Sequence, residues 1–381
     1  MESDLFATAE HQAFRDTVRR FTEQELVPRA REFDRNGRLD KALYPKMGEL
    51  GMLGLRYDPR WGGAGLDWSF TAVLFEELAR CDNAGVVLGI SVHTDMATPS
   101  LHEHGSDALR DEFLAPAIRG ERVGAIAVTE PGAGSDVAAI KTRARRDGGD
   151  WVVSGSKTYI TNAATADFLC LLAVTDPDAG HRGMTQILVP TDAPGVRHDL
   201  LDKIGNLGSD TGIFFLDDVR VPLRHAVGEP GQGFRQQMQQ FQDERLVLAL
   251  STVAQSRHLW ERTRTYCDER RLFGKRLAEM QVTQFKLTEL AIELAAAEAL
   301  VRECLRRRLA GADATTEISM AKVHSARVAR RVADDCLQLE GGFGYMRESP
   351  AGRGFVDARL MSIGGGSDET MISYLARRLG I

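Results

Sequence analysis

Apolar residues are spaced by three and four over the first third of the chain. Phe14, Val18 and Phe21 fall at i, i+4 and i+7, Ala72, Leu74, Phe75 and Leu78 follow Ser69 as a candidate N-cap, and residues 107–118 form another short amphipathic stretch. This spacing predicts helices from about Thr8 to Arg119, broken by the loop signal Trp61-Gly62-Gly63-Ala64-Gly65-Leu66-Asp67. Near Gly124 the period changes. Residues 125–128, 151–153, 158–161, 168–174, 186–189 and 213–216 are short apolar runs, separated by turn signals such as Asp147-Gly148-Gly149-Asp150 and Ala193-Pro194-Gly195. With no helical pattern between them, they predict an antiparallel sheet or barrel, not a parallel sheet with crossover helices. After Pro222 helices return. Leu287, Leu290, Leu294, Ala297, Val301 and Leu305 make one stripe, and Val328, Val332, Cys336 and Leu339 another, as in an antiparallel bundle. The expected class is α+β, mostly α, with an N-terminal helical domain (1–122), a middle β domain (123–226) and a C-terminal helical bundle (227–381).

Composition narrows the function. The 381 residues are 43% hydrophobic and 27% charged, and no run approaches the ~20 apolar residues of a membrane span. The net charge of -6 comes from interleaved signs, without the basic stripe a nucleic acid would require. Five cysteines without a CxxC pair predict reduced, buried thiols. Together with an acidic opening, residues 1–6, that carries no export signal, they predict a cytoplasmic protein. His102-Glu103-His104 is the one metal-like cluster, but i and i+2 side chains diverge on a helix and no third ligand is near, so no metal is expected.

None of the 37 glycines sits in a GxGxxG between a strand and a helix, which excludes a Rossmann nucleotide site. Pro131-Gly132-Ala133-Gly134-Ser135-Asp136 follows an expected strand and reads either as a plain turn or as a loop whose N–H groups and Ser135 hydroxyl hold anionic oxygens. Tyr159 reads as core or as a ligand platform. Arg270-Arg271 alone would be a solvated helix end, and Gly341-Gly342 alone a helix stop.

Taken jointly, Ala127-Val128-Thr129-Glu130-Pro131-Gly132-Ala133-Gly134-Ser135-Asp136, Gly155-Ser156-Lys157-Thr158-Tyr159-Ile160-Thr161-Asn162, Arg270-Arg271-Leu272-Phe273-Gly274 and Gln338-Leu339-Glu340-Gly341-Gly342 resemble the acyl-CoA dehydrogenase family. The resemblance runs through essentially the whole chain and implies the same three-part fold. It implies FAD in a crevice between the β domain and the bundle. Val128, Thr129 and Ser135 would lie beside the flavin, its phosphate or the substrate, and Tyr159, Ile160 and Thr161 along the flavin ring, with Ser367 and Glu369 as further cofactor contacts. Arg270, Phe273, Gln281, Gln338, Gly341 and Gly342 would hold the adenosine diphosphate part from a neighbouring subunit, implying a homotetramer built as a dimer of dimers. Electron-transferring flavoprotein is the implied acceptor.

Desaturating a thioester needs a base for the α proton, a hydride acceptor and donors to the carbonyl oxygen. Many members of the family carry the base as a Glu in a short loop near the C-terminus. Here that segment is Ser362-Ile363-Gly364-Gly365-Gly366-Ser367-Asp368-Glu369, and Gly365 stands at the base position. The family's isovaleryl and long-chain branches place the carboxylate on an earlier helix, where this chain has Gln242-Asp243-Glu244-Arg245. Glu244 follows Phe241 by three and precedes Leu248 by four, so it interrupts an apolar face. It is either a surface charge paired with an Arg or, with Gly365 unable to act, the base, and desolvation should then raise its pKa toward neutrality. Asp243 lies off that face. Gly365 retains an N–H for the thioester oxygen, and Ser135, Arg245 and Gly366 complete the expected substrate contacts. The expected reaction is α,β-desaturation of a medium, long or branched acyl-CoA. The alternatives are an acyl group on a carrier protein and an oxygen-using flavin oxidase of the same fold.

Overall fold

The computed structural model describes residues 8–381, so the acidic opening at 1–6 lies outside it. Helix α1 (Ala9–Phe21) begins where the Thr8 hydroxyl accepts the His11 N–H, and it buries Val18 and Phe21 as the spacing predicts. Helix α2 (Trp68–Leu78) is capped by Asp67, not Ser69: the Asp67 carboxylate accepts the Ser69 N–H, which moves the start two residues earlier than a Ser69 cap would place it. Helix α3 (Ala84–Ser91) follows.

The middle segment is a seven-stranded sheet. Its strands are β1 (Gly124–Ala127), β2 (Arg143–Asp147), β3 (Asp150–Thr161), β4 (Phe168–Val174), β5 (Met184–Pro190), β6 (Val196–Leu200) and β7 (Thr211–Pro222). Pairing is antiparallel in β2–β3, β3–β7, β4–β5 and β6–β7, as expected, but β1 and β4 pair in parallel, as does the single contact of β2 with β4. The apolar runs could not reveal this. β4 and β5 are buried almost throughout, and a strand covered on both faces loses the alternation that distinguishes sheet types. Alternate residues of β4 enter different cores. Leu169, Leu171 and Ala173 join the sheet interior, whereas Phe168 and Cys170 pack with Phe113, Leu114 and Ile118 of the helical segment.

Helix α4 (Gly233–Glu269) has 37 residues and spans about 55 Å. A hairpin, β8 (Arg271–Leu272) and β9 (Lys275–Arg276), joins it to α5 (Gln281–Leu309), and α6 (Thr315–Glu340) runs back alongside. The predicted stripes are the buried faces for Leu290, Leu294, Ala297, Val301 and Leu305 on α5 and for Val328, Val332 and Cys336 on α6, whereas Leu287 and Leu339 at their ends are half-buried. Gly341, at φ 62°, ends α6. Two short helices, α7 (Pro350–Asp357) and α8 (Asp368–Leu379), close the chain. Val18, Phe75, Leu250, Leu294 and Val332 belong to one continuous core, so the first and last helical segments pack as one body. All five cysteines are buried and free.

Candidate active site

Three distant stretches of chain meet beside one helix face. Glu244 lies midway along the first half of α4, 8% exposed, with Leu248 one turn further on. Against it packs the turn between α7 and α8, in which Gly365 and Gly366 have φ of 66° and 101°, values that side chains rarely adopt. A Cβ on Gly365 would stand 3.5 Å from Glu244 Oε1 and 2.5 Å from Leu248 Cδ1. The glycine therefore makes room for Leu248, and the carboxylate lies within ordinary contact of the same point.

Two cations hold this turn. Arg245 Nε donates to the Gly365 carbonyl at 3.2 Å, and Lys322 Nζ, from α6, donates to the Gly366 carbonyl. Because C=O and N–H point opposite ways in a planar peptide, these bonds fix the N–H directions of Gly366 and Ser367. Among the described residues, no backbone carbonyl accepts the Gly365 N–H. The Ser367 hydroxyl caps α8 by accepting the Thr370 N–H at 3.3 Å, and Glu369 is exposed on the first turn of that helix.

Burial pushes the Glu244 carboxyl up to about 7, and the charges of Arg245 and Lys322 pull only partly against it. The same burial pushes Lys322 down to about 8. Asp243, one position away, has a different environment. It pairs with Arg308 and lies 3.6 Å from Arg56, whose guanidinium bonds Asp95 at 3.0 Å and lies 3.7 Å from the Trp68 ring centroid. Asp243 thus pins α4 to its neighbours, and Glu244 is left as a carboxylate near neutrality.

On the sheet side, Ile126 and Val128 bring the end of β1 against α4, in clusters that include Phe241 and Leu248. Thr158 N–H donates to the Thr129 carbonyl at 2.9 Å, so the Thr129 loop and the 157–161 stretch of β3 lie side by side. At a bulge between Lys157 and Ile160, Tyr159 takes φ 58° and stands 72% exposed, which excludes the core reading of this residue. Ile160 points into the sheet core, leaving only its backbone for a ligand, and Thr161 is half-buried. Ser135 is exposed, and Cβ atoms on Gly132 and Gly134 would meet nothing within 4 Å. An open glycine loop beside an outward aromatic ring fits a planar cofactor with a phosphate tail.

A buried pair missed by the sequence reading supports this loop. Glu130 Oε1 accepts from Lys157 Nζ at 2.9 Å and from Thr142 N–H, while Lys157 Nζ also donates to the Val128 carbonyl at 2.9 Å. Both residues fall inside quoted motifs, and a lysine in an apolar strand was the available signal. Lys322 was missed too, because nothing around it in α6 marks it out.

The remaining expected contacts lie elsewhere. Gln338, Gly341 and Gly342 sit at the far end of α6, about 27 Å along the helix from Lys322. Nearby, Thr263 and Tyr266 of α4 bond Glu340, bringing in the hairpin with Arg270 and Phe273. Phe273 is 91% exposed at the hairpin tip, and Gln281 is exposed at the start of α5. Within one chain these residues and Glu244 form two separate groups. His102-Glu103-His104 holds no metal set. His102 accepts the Asp58 N–H and stacks on Tyr57, and among the described residues no group of potential metal ligands occurs.

From Leu248 a cleft extends between α3, α4, α6 and the turn after α7. Leu88, Ser91, Thr252, Leu259, Ala333 and Met361 are among its walls.

Comparison with known proteins places this geometry in a family. Residues 8–121, 125–219 and 231–380 match the N-terminal, middle and C-terminal domains of acyl-CoA dehydrogenase. The mitochondrial long-chain specific acyl-CoA dehydrogenase of Sus scrofa is 38% identical over 98% of this chain and 87% of its own length. The mitochondrial short-chain specific enzyme of Bos taurus is 34% identical over 97% and 90%. The crystal structure of an acyl-CoA dehydrogenase from Geobacillus kaustophilus superposes with a TM-score of 0.95 at 36% identity, covering 99% of both chains. The chain belongs to the acyl-CoA dehydrogenase family, whose members are FAD-dependent oxidoreductases acting on CH–CH bonds.

Proposed function

We propose that this protein desaturates the Cα–Cβ bond of a long acyl-CoA, straight or branched, with Glu244 as the base. The Glu244 carboxylate takes the α proton, the electron pair left on Cα forms the new double bond, and the β hydrogen departs as hydride. FAD, when bound, supplies the hydride acceptor. The N–H groups of Gly365 and Gly366 donate to the thioester oxygen, with Arg245 fixing the turn that carries them. Val128, Thr129, Ser135, Tyr159, Thr161 and the Ile160 backbone line the flavin side, with Ser367 and Glu369 at the other edge. The observation that carries this reading is the 3.5 Å between Glu244 Oε1 and the place a Gly365 Cβ would take.

The cleft supports a long chain. Its wall on α4 runs from Leu248 to Leu259, about 16 Å of helix. At ~1.3 Å per carbon of an extended chain, that accommodates roughly 12 carbons beyond the reacting pair. The distant group at Arg270, Phe273, Gln281, Gln338, Gly341 and Gly342 serves the adenosine diphosphate part of a cofactor bound mainly to a second copy, in a homotetramer. The exposed Phe273, Val282, Phe285 and Ile292 support such association. Among the described residues no helix is long and apolar enough to cross a membrane, and we place the enzyme in the cytoplasm, passing electrons to electron-transferring flavoprotein.

The test is anaerobic bleaching of the flavin by acyl-CoA thioesters. Wild type is expected to bleach, and Glu244→Gln to bind FAD yet lose roughly 10²- to 10⁴-fold in rate. A near-normal rate in that variant rejects the assignment. Rapid reoxidation by O₂ without an acceptor protein would indicate an oxidase.

A further inference from the structure

The turn opposite Glu244 is held by a lysine that is 2% exposed, in a helix otherwise devoted to the bundle core. A buried ammonium is costly and persists where charge and hydrogen bonds compensate it. Lys322 donates one hydrogen bond to the Gly366 carbonyl. Its Cε would lie 3.9 Å from a Cβ on Gly365, and Glu244 Oε1 lies 3.5 Å from that same point. Ammonium stem and carboxylate therefore both border one position. The charged groups facing Lys322 are Asp368, Arg245, Glu244 and Glu369, and Asp368 is itself approached by Arg327 at 3.7 Å and Arg330 at 3.8 Å. Asp368 is thus shared among three cations, and Glu244 is a further carboxylate that Lys322 faces.

Building on Glu244 as base, we propose that Lys322 is a positioning residue for α-proton abstraction: it clamps the 365–367 turn against Glu244, and its charge favours the ionised carboxylate there. Arg245 clamps the preceding carbonyl, so the two cations divide the turn between them, one peptide each. Removing the Lys322 charge weakens the base's preference for its ionised form, while removing its hydrogen bond loosens the turn that carries the donors. Glutamine at this position can keep an N–H for Gly366 but has no charge, and arginine keeps both.

The experiment compares Lys322→Gln, Lys322→Met and Lys322→Arg with wild type. FAD content and thermal melting establish that each variant is folded, and infrared difference titration against Glu244→Gln reads the ionisation of that one carboxylate. In Lys322→Gln the Glu244 titration and the rising limb of the anaerobic flavin-reduction profile should both move up by about one pH unit. That is a loss of roughly 5-fold at pH 7, recovered by pH 9. Lys322→Met should show the same displacement with a further fall in the plateau, and Lys322→Arg should restore the wild-type limb. A folded, flavin-loaded Lys322→Gln whose titration and profile superimpose on wild type overturns the proposal. If Lys322→Gln and Lys322→Met both fail to fold while Lys322→Arg folds with a limb displaced like a charge loss, the charge role is equally refuted. Failure of the underlying reading is distinct: Glu244→Gln would then retain fast reduction whatever Lys322 does.

Discussion

Glu244 and Gly365 lie within contact of one another: the side-chain oxygen of the first stands 3.5 Å from the missing Cβ of the second. A carboxylate at either residue would face the same side of the site. The exchange is not free, however. Gly365 sits at φ 66° and a Cβ there would meet Leu248 Cδ1 at 2.5 Å, so Gly365→Glu carries about 1–3 kcal/mol of backbone strain and must displace a leucine methyl. Glu244→Gln/Gly365→Glu should recover only part of the lost flavin reduction, and adding Leu248→Ala should recover more. Equal rates in the double and triple variants would show that Leu248 is not the obstacle.

Activity and stability should respond to pH in opposite senses. The Glu244 carboxyl titrates at about 7 when buried and near 4.5 when unfolded, so the folded state holds its proton more tightly. Its burial costs nothing below about pH 4.5, and the cost grows until pH 7. Glu244→Gln should therefore melt higher than wild type at pH 8, by up to about 3 kcal/mol of stability, with the gap closing toward pH 5. The rate of flavin reduction in wild type should rise through pH 7 as the base ionises.

Lys157 and Glu130 form a pair with Lys157 fully buried. Lys157→Met leaves a buried carboxylate facing an apolar side chain, a loss of roughly 3–5 kcal/mol, and frees the loop that carries Thr129 and Ser135. Thermal melting should fall, and FAD should be retained less well than in a surface Lys→Met control such as Lys46→Met.

Substitution within the cleft should shorten the accepted chain. Thr252 lines the wall two turns beyond Glu244 and is 5% exposed. Thr252→Phe should leave reduction by C4 to C8 thioesters within a few-fold and depress it at least 10-fold for C14 to C16. Uniform loss across the series would place the acyl chain elsewhere.

The thiols should be silent in the native protein. Burial pushes Cys81, Cys170, Cys304 and Cys336 up to about 12 and Cys267 to about 11, so no thiolate is available near neutrality. A disulfide reagent should find all five only after denaturation.

Helices with an apolar stripe were legible because burial on one side imprints a period of three to four. That gave the Phe14–Val18–Phe21 face and both bundle stripes, and the Glu244 interruption stood out against such a face. Strand direction left no trace, since β4 and β5 are covered on both sides. Caps were legible only in kind: Asp67 and Ser69 are both good candidates, and the side-chain geometry chose between them. In the site, Glu244 and Gly365 came from residue type and family likeness, but their adjacency required the fold. Lys322 and the Lys157–Glu130 pair escaped because a buried lysine is recognised by its partners, and these are far away in the chain.

The alternation along β4 has one more consequence. The family pattern divides the chain into thirds, yet the molecule cannot be parted along those lines. Excising the strands would strip the cover from Phe168, Cys170 and Leu188, and leave Phe113 and Ile118 facing water on the other side of the cut. What reads as three modules should melt as one.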